Sequence, residues 1–129
     1  MNNNFWKWGF AFAGLAVALG AFAAHGLKAI FQAESISIFE TGVRYQFYHA
    51  FSILITALLL DKFPHNPFLR WAGISFVTGV FLFSGSLYLL AAMKADRLPL
   101  PESIGLITPL GGLLFIAGWT LLLMATFKK

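Results

Sequence analysis

Between Glu40 and His49 the chain reads Glu-Thr-Gly-Val-Arg-Tyr-Gln-Phe-Tyr-His: an acid, a base, two phenols, an amide and an imidazole. Side chains of these types can hold an anion, pass protons or join helices by hydrogen bonds. Here they head a long apolar run. Ionisable groups at membrane depth are costly, face a bundle interior or a water-filled cavity, and mark a functional site by default.

Helical phase sorts the segment into two faces. Thr41, Tyr45, His49, Ser52 and Thr56 recur every three or four residues and share one face. Glu40, Arg44 and Tyr48 share the adjacent one, with Glu40 and Arg44 spaced for an (i, i+4) ion pair. Counting back from Asp61 at a helical rise, His49 lies ~18 Å away, Arg44 ~25 Å and Glu40 ~31 Å. His25 lies ~26 Å along the first apolar run, which starts at the same boundary. His25 and Arg44 therefore share a depth, and His25, Glu40, Arg44, Tyr45 and His49 form a candidate ligand-binding set. The set implies a polar pocket between the first two helices, near their far end, with Arg44 as the anion contact.

Each member also has a structural explanation. Glu40 can complete a capping box begun at Ser37. Arg44 can snorkel to the headgroups, and Tyr45 and Tyr48 can be interfacial aromatics. His25, beside Gly26, can meet the last carbonyls of its helix. His49 lies too deep to snorkel and requires a hydrogen-bond partner, either as helix glue or as a functional group. A bis-histidine haem is disfavoured because His25 and His49 differ by ~8 Å in depth. His25, Glu40 and His49 lack the fixed spacing of a zinc site. No phosphate loop, nucleophile elbow or metalloprotease motif occurs. The expectation is a protein that is not an enzyme, with no catalytic residue, metal or cofactor.

The elements that would position this set are membrane spans. The 129 residues are 59% hydrophobic and 11% charged, with a mean hydropathy of +0.78. A soluble domain carries about a quarter charged residues. The sequence divides into four runs of spanning length, about 8–25, 38–60, 67–93 and 104–127, which leaves room for a single transmembrane domain over 1–129. The first run resembles a signal peptide, with Lys7 ahead of it and Ala21-Phe22-Ala23 near its end. It exceeds the ~7–15 residues of such a segment, which predicts a retained span. Asn66-Pro67 predicts an N-cap and first-turn pair for the third helix. Thr108-Pro109 predicts the same for the fourth, or a kink within a longer helix. Short connections between all four predict an all-α, antiparallel up-down bundle.

Small residues recur along the spans. Gly9, Ala13, Ala16, Gly20 and Ala24 form a narrow stripe on the first, suited to close helix approach. Packing within the chain is the preferred use, and a homo-oligomer interface is the alternative. Ser75, Gly79 and Ser86 make a similar face on the third span, as do Gly111, Gly112 and Gly118 on the fourth. The net charge of +4 does not signal nucleic acid, because the nine Lys and Arg are scattered singly and flank the spans. With cytoplasmic termini, that side holds Lys7, Lys62, Arg70, Lys128 and Lys129, against Lys28, Arg44, Lys94 and Arg97 opposite. This small excess favours cytoplasmic termini.

Several motifs together resemble a known family. They are His25-Gly26-Leu27, Phe39 to Gln46 with Tyr48-His49-Ala50, Phe83-Ser84-Gly85-Ser86-Leu87-Tyr88, and Ile107 to Gly112 with Gly118-Trp119. The chain is identified as resembling the YgdD/YwdK-like small membrane proteins, a domain of unknown function (423) similar to eukaryotic transmembrane protein 256. The resemblance implies a multi-pass protein of the bacterial plasma membrane and carries no established activity. Its signature falls on His25, Glu40, Arg44, Tyr45 and His49.

Three function classes follow. The first is a protein that binds a small ligand or lipid headgroup in the pocket between helices 1 and 2. The second is an accessory or scaffold protein with a membrane-protein partner and purely structural polar residues. The third is a small transporter or proton relay along the polar stripe, which fades below Thr56.

Overall fold

The computed structural model describes residues 1–128. Four helices, each long and apolar enough to cross a membrane, occupy most of them: α1 (Phe5–His25), α2 (Ala33–Lys62), α3 (Pro67–Lys94) and α4 (Ile107–Phe127). Short 3₁₀ turns at Leu27–Ala29 and Glu102–Leu106 complete the connections after α1 and before α4.

The helices alternate in direction, and contacts between opposite ends fix this arrangement. Asn3 at the start of α1 donates to the carbonyl of Ala57 near the end of α2 (3.0 Å). Ser84 in the second half of α3 donates to the Gly42 carbonyl in the first half of α2 (2.7 Å). Asn66, ahead of α3, donates to Ala125 near the end of α4 (3.3 Å). Each helix packs chiefly on its sequence neighbours. α2 and α3 are the more buried pair, and α1 and α4 flank them.

Mid-bundle packing gathers Phe12, Ala50, Ile53, Ala72, Phe76, Val80 and Phe115 from all four helices. A second cluster of Ala23, Leu27, Phe39 and Ala91 closes the end that holds the first connection. Lipid chains are as apolar as these side chains, so close packing and hydrogen bonds hold such helices together. Glycine permits the closest approaches. A Cβ at Gly111 would strike the Phe83 backbone, and one at Gly42 would lie 2.8 Å from the Tyr88 ring and 3.3 Å from the Ser84 carbonyl. The stripe on α1 packs within the chain: Gly9 meets Leu54 and Ala50, Gly20 meets Val43, and Ala16 is buried.

Three boundaries differ from the sequence expectation. α1 starts at Phe5, where the Asn3 side chain accepts the Phe5 amide (3.1 Å). α2 starts at Ala33, so Ser37 and Glu40 lie inside the helix and form no capping box. The Ser37 carbonyl instead accepts from the Thr41 hydroxyl (3.0 Å). The extra turn is held by tertiary contacts, since Ile36, Ile38 and Phe39 pack on the cluster around Ala23 and Ala91. α4 starts at Ile107, which puts Thr108 and Pro109 in its first turn. Proline is tolerated there because first-turn amides lack partners within the helix. Thr108 caps nothing, and its hydroxyl bonds that of Ser86 on α3. At α3 the expected pair holds: Asn66 Oδ1 accepts the Phe68 amide (3.1 Å) and Pro67 is the first residue.

Candidate functional site

The segment from Glu40 to His49 presents three surfaces to three different surroundings. Toward α1 and the lipid, Arg44 and Tyr48 border a shallow groove of about 230 Å³ floored by Ala16, Val17, Val43 and Phe47. Arg44 is exposed, and its Nη2 donates to the Thr41 hydroxyl (3.1 Å). Among the described residues Arg44 forms no ion pair, and the half-buried Glu40 one turn away does not neutralise it.

Between α1, α2 and α3 the side chain of Gln46 is buried and bonded at both ends. Its Nε2 donates to the Phe12 carbonyl of α1 (2.9 Å), and its Oε1 accepts from the Tyr88 hydroxyl of α3 (2.7 Å). One amide thereby ties three helices. It also supplies a partner for the Tyr88 hydroxyl, which an apolar bundle would otherwise leave unsatisfied.

Toward α4 the ring of His49 is buried and nearly parallel to Phe115, with centroids 3.5 Å apart and planes 5° apart. Its Nε2 lies 3.2 Å from Trp119 Nε1, and its Nδ1 lies 2.8 Å from the Tyr45 carbonyl. An indole N–H only donates, so Nε2 must be the accepting nitrogen. Nδ1 then carries the proton and donates to the carbonyl. His49 is thus a neutral imidazole with both nitrogens engaged, leaving no lone pair or proton for a ligand. Tyr45 packs beside it on Phe83, with centroids 4.6 Å apart.

The five sequence-derived candidates therefore do not converge. Tyr45 and His49 sit together against α3 and α4, away from α1. Arg44 lies at the α1–α2 groove with Tyr48. His25 ends α1 on the exposed surface and, among the described residues, shares no hydrogen bond or ion pair with the other four. The contacts that matter inside the bundle come from Gln46, Tyr88, Ser84 and Trp119. Gln46 was visible in the polar segment, but its phase falls outside both polar faces, on the side of α2 away from Arg44. Its partners lie on other helices and leave no trace in local spacing.

A further polar cluster closes the opposite end. Asp61 accepts from the Asn2 amide (3.1 Å), from Asn3 Nδ2 (2.7 Å) and from Trp6 Nε1 (2.9 Å), which pins the start of α1 to the end of α2. Every buried side-chain nitrogen and oxygen among the described residues has a hydrogen-bond partner. No group of three or more His, Cys, Asp or Glu among them could hold a metal.

A family profile described as "Protein of unknown function (DUF423)" matches residues 19–112. The chain belongs to this family. The DUF423 match takes in Arg44 and the Gln46–Tyr88 contact, begins after Ala16 and Val17 of the groove, and ends short of Trp119. The UPF0382 membrane protein YwdK of Bacillus subtilis is 40% identical over 114 residues, spanning 88% of each chain. A UPF0382 membrane protein of Haemophilus influenzae is 45% identical over 113 residues, 88% of this chain and 85% of its own. One from Staphylococcus haemolyticus is 41% identical over 114 residues, 88% of this chain and 87% of its own. No solved structure matches. The chain is thus a multi-pass membrane protein whose activity is not established.

Proposed function

We propose that this DUF423 protein is a non-enzymatic protein of the plasma membrane, with cytoplasmic termini, that holds an anionic headgroup at Arg44. One observation carries this reading. Arg44 is the exposed cation at a groove between α1 and α2, and no carboxylate among the described residues is paired with it. A guanidinium has five donors in a fixed fork that matches phosphate, and Thr41 occupies only part of it. The groove below is apolar and suits an acyl chain. Arg44→Gln should lower retention of an anionic lipid in native mass spectrometry of gently extracted protein, with helicity unchanged. Equal retention in variant and wild type would reject the site.

A second reading, an accessory or scaffold protein, draws on the interior. The polar side chains of Gln46, His49, Ser84 and Tyr88 are all used to join helices. Transport draws less support, because in the polar stripe His49 is spent on Trp119 and the hydroxyls of Thr41, Ser52 and Thr56 on carbonyls of their own helix. The topology has its own test. The chain has no cysteine, so single cysteines placed at Asn2 and Ser103 report sidedness directly. Labelling of the Asn2 variant by an impermeant maleimide in intact cells would reverse the orientation.

A further inference from the structure

The end of the bundle carrying Asp61 also holds an apolar cleft with a cationic rim. Leu59, Leu69, Leu122 and Ala125, from α2, α3 and α4, line a cavity of about 320 Å³. Phe63, Asn66 and Lys128 line it too, and all three also line an adjoining cavity of about 360 Å³ that adds Lys62 and His65. The two form one continuous feature, apolar toward the bundle and basic at its mouth. Lys128 lies over the Phe68 ring (5.8 Å) and Lys62 over Phe63 (5.4 Å). Neither lysine forms an ion pair among the described residues. Asp61, the neighbouring acid in sequence, is turned to α1, where Asn2, Asn3 and Trp6 occupy its oxygens.

We infer that this cleft is a second lipid site, taking one acyl chain of an anionic phospholipid between α2 and α4 with its phosphate between Lys62 and Lys128. Charge complementarity selects the occupant: the mouth offers two lysines and His65, and no acid lines either cavity. The apolar lining suits a hydrocarbon chain and offers little to a hydrated ion. The site lies at the Lys62 end of α2, about 27 Å along the helix from Arg44, and stands independently of it.

The test is competitive retention of phosphatidylglycerol against phosphatidylcholine of identical chains, read by native mass spectrometry on the full-length protein. Wild type should prefer phosphatidylglycerol. The double variant Lys62→Gln/Lys128→Gln should lose roughly thirtyfold of that preference, since each of the two basic residues near an anionic surface contributes about 1 kcal/mol. Arg44→Gln should leave this component in place. Leu122→Trp, which fills the cleft without altering charge, should displace the bound lipid while circular dichroism stays that of wild type. Equal retention of both lipids by wild type overturns the site, as does a preference that the double variant leaves undiminished in an Arg44→Gln background. Displacement of the lipid by an acidic peptide, or on dimer formation at higher protein concentration, overturns it too, because either gives the cleft to protein.

Discussion

The two faces of α2 around Gln46 and Arg44 make an instructive pair. Both carry strongly polar side chains within one turn of each other, in the same apolar helix. On the inner face every polar atom of Gln46 and His49 meets a partner on another helix or a turn earlier. On the outer face Arg44 meets only Thr41 and otherwise faces the groove and the lipid. A polar residue in a membrane helix thus signals function only when its hydrogen-bonding capacity is left over after folding. Inside, the capacity is used up as helix glue; outside, it is available to a ligand.

Substitutions that separate α2 from α3 should act most strongly. Gly42→Leu forces a side chain into Tyr88 and the Ser84 carbonyl, an overpacking of about 1–3 kcal/mol. Its detergent melting temperature should fall the most of this series, and a wild-type melt would show that the helices are not closely apposed there. Gln46→Leu comes next. It strands the half-buried Tyr88 hydroxyl, at a cost of about 1 kcal/mol. Adding Tyr88→Phe should recover part of that loss, so strictly additive losses in the double variant would break the assigned contact.

His49→Phe should be milder. It keeps the stack on Phe115 and loses the Trp119 bond, and interhelical hydrogen bonds of this kind average about 0.6 kcal/mol. Indole hydrogen bonding, read by ultraviolet resonance Raman, should shift toward the free N–H, and an unchanged band would place Trp119 elsewhere. Smallest in stability is Arg44→Gln, expected within about 0.5 kcal/mol of wild type because it removes no buried contact. A large destabilisation at Arg44 would erase the contrast between the two faces.

Much of the fold was legible in the sequence. Four apolar runs and their charged ends located the spans, and Asn66-Pro67 located the start of α3. The start of α2 was not legible, because Ser37-Ile38-Phe39-Glu40 has the spacing of a capping box while burial against Ala23 and Ala91 extends the helix back past it. Of the candidate site, phase correctly grouped Tyr45 with His49 and Arg44 with Tyr48. It did not reveal which helix each face would meet. Depth placed His25 level with Arg44, yet equal depth says nothing about rotation around the bundle.

The sequence alone therefore determined that this is a four-span membrane protein with its polar chemistry gathered on α2. Apolar run length and helical period are local properties, and both survive into the fold. Tertiary structure alone decided which polar groups are consumed. Hydrogen-bond partners such as Phe12, Tyr88 and Trp119 are far apart in the chain, and only the packing angles and glycine contacts of neighbouring helices bring them within reach. That packing closes His49 and Gln46 inside the bundle and leaves Arg44 open.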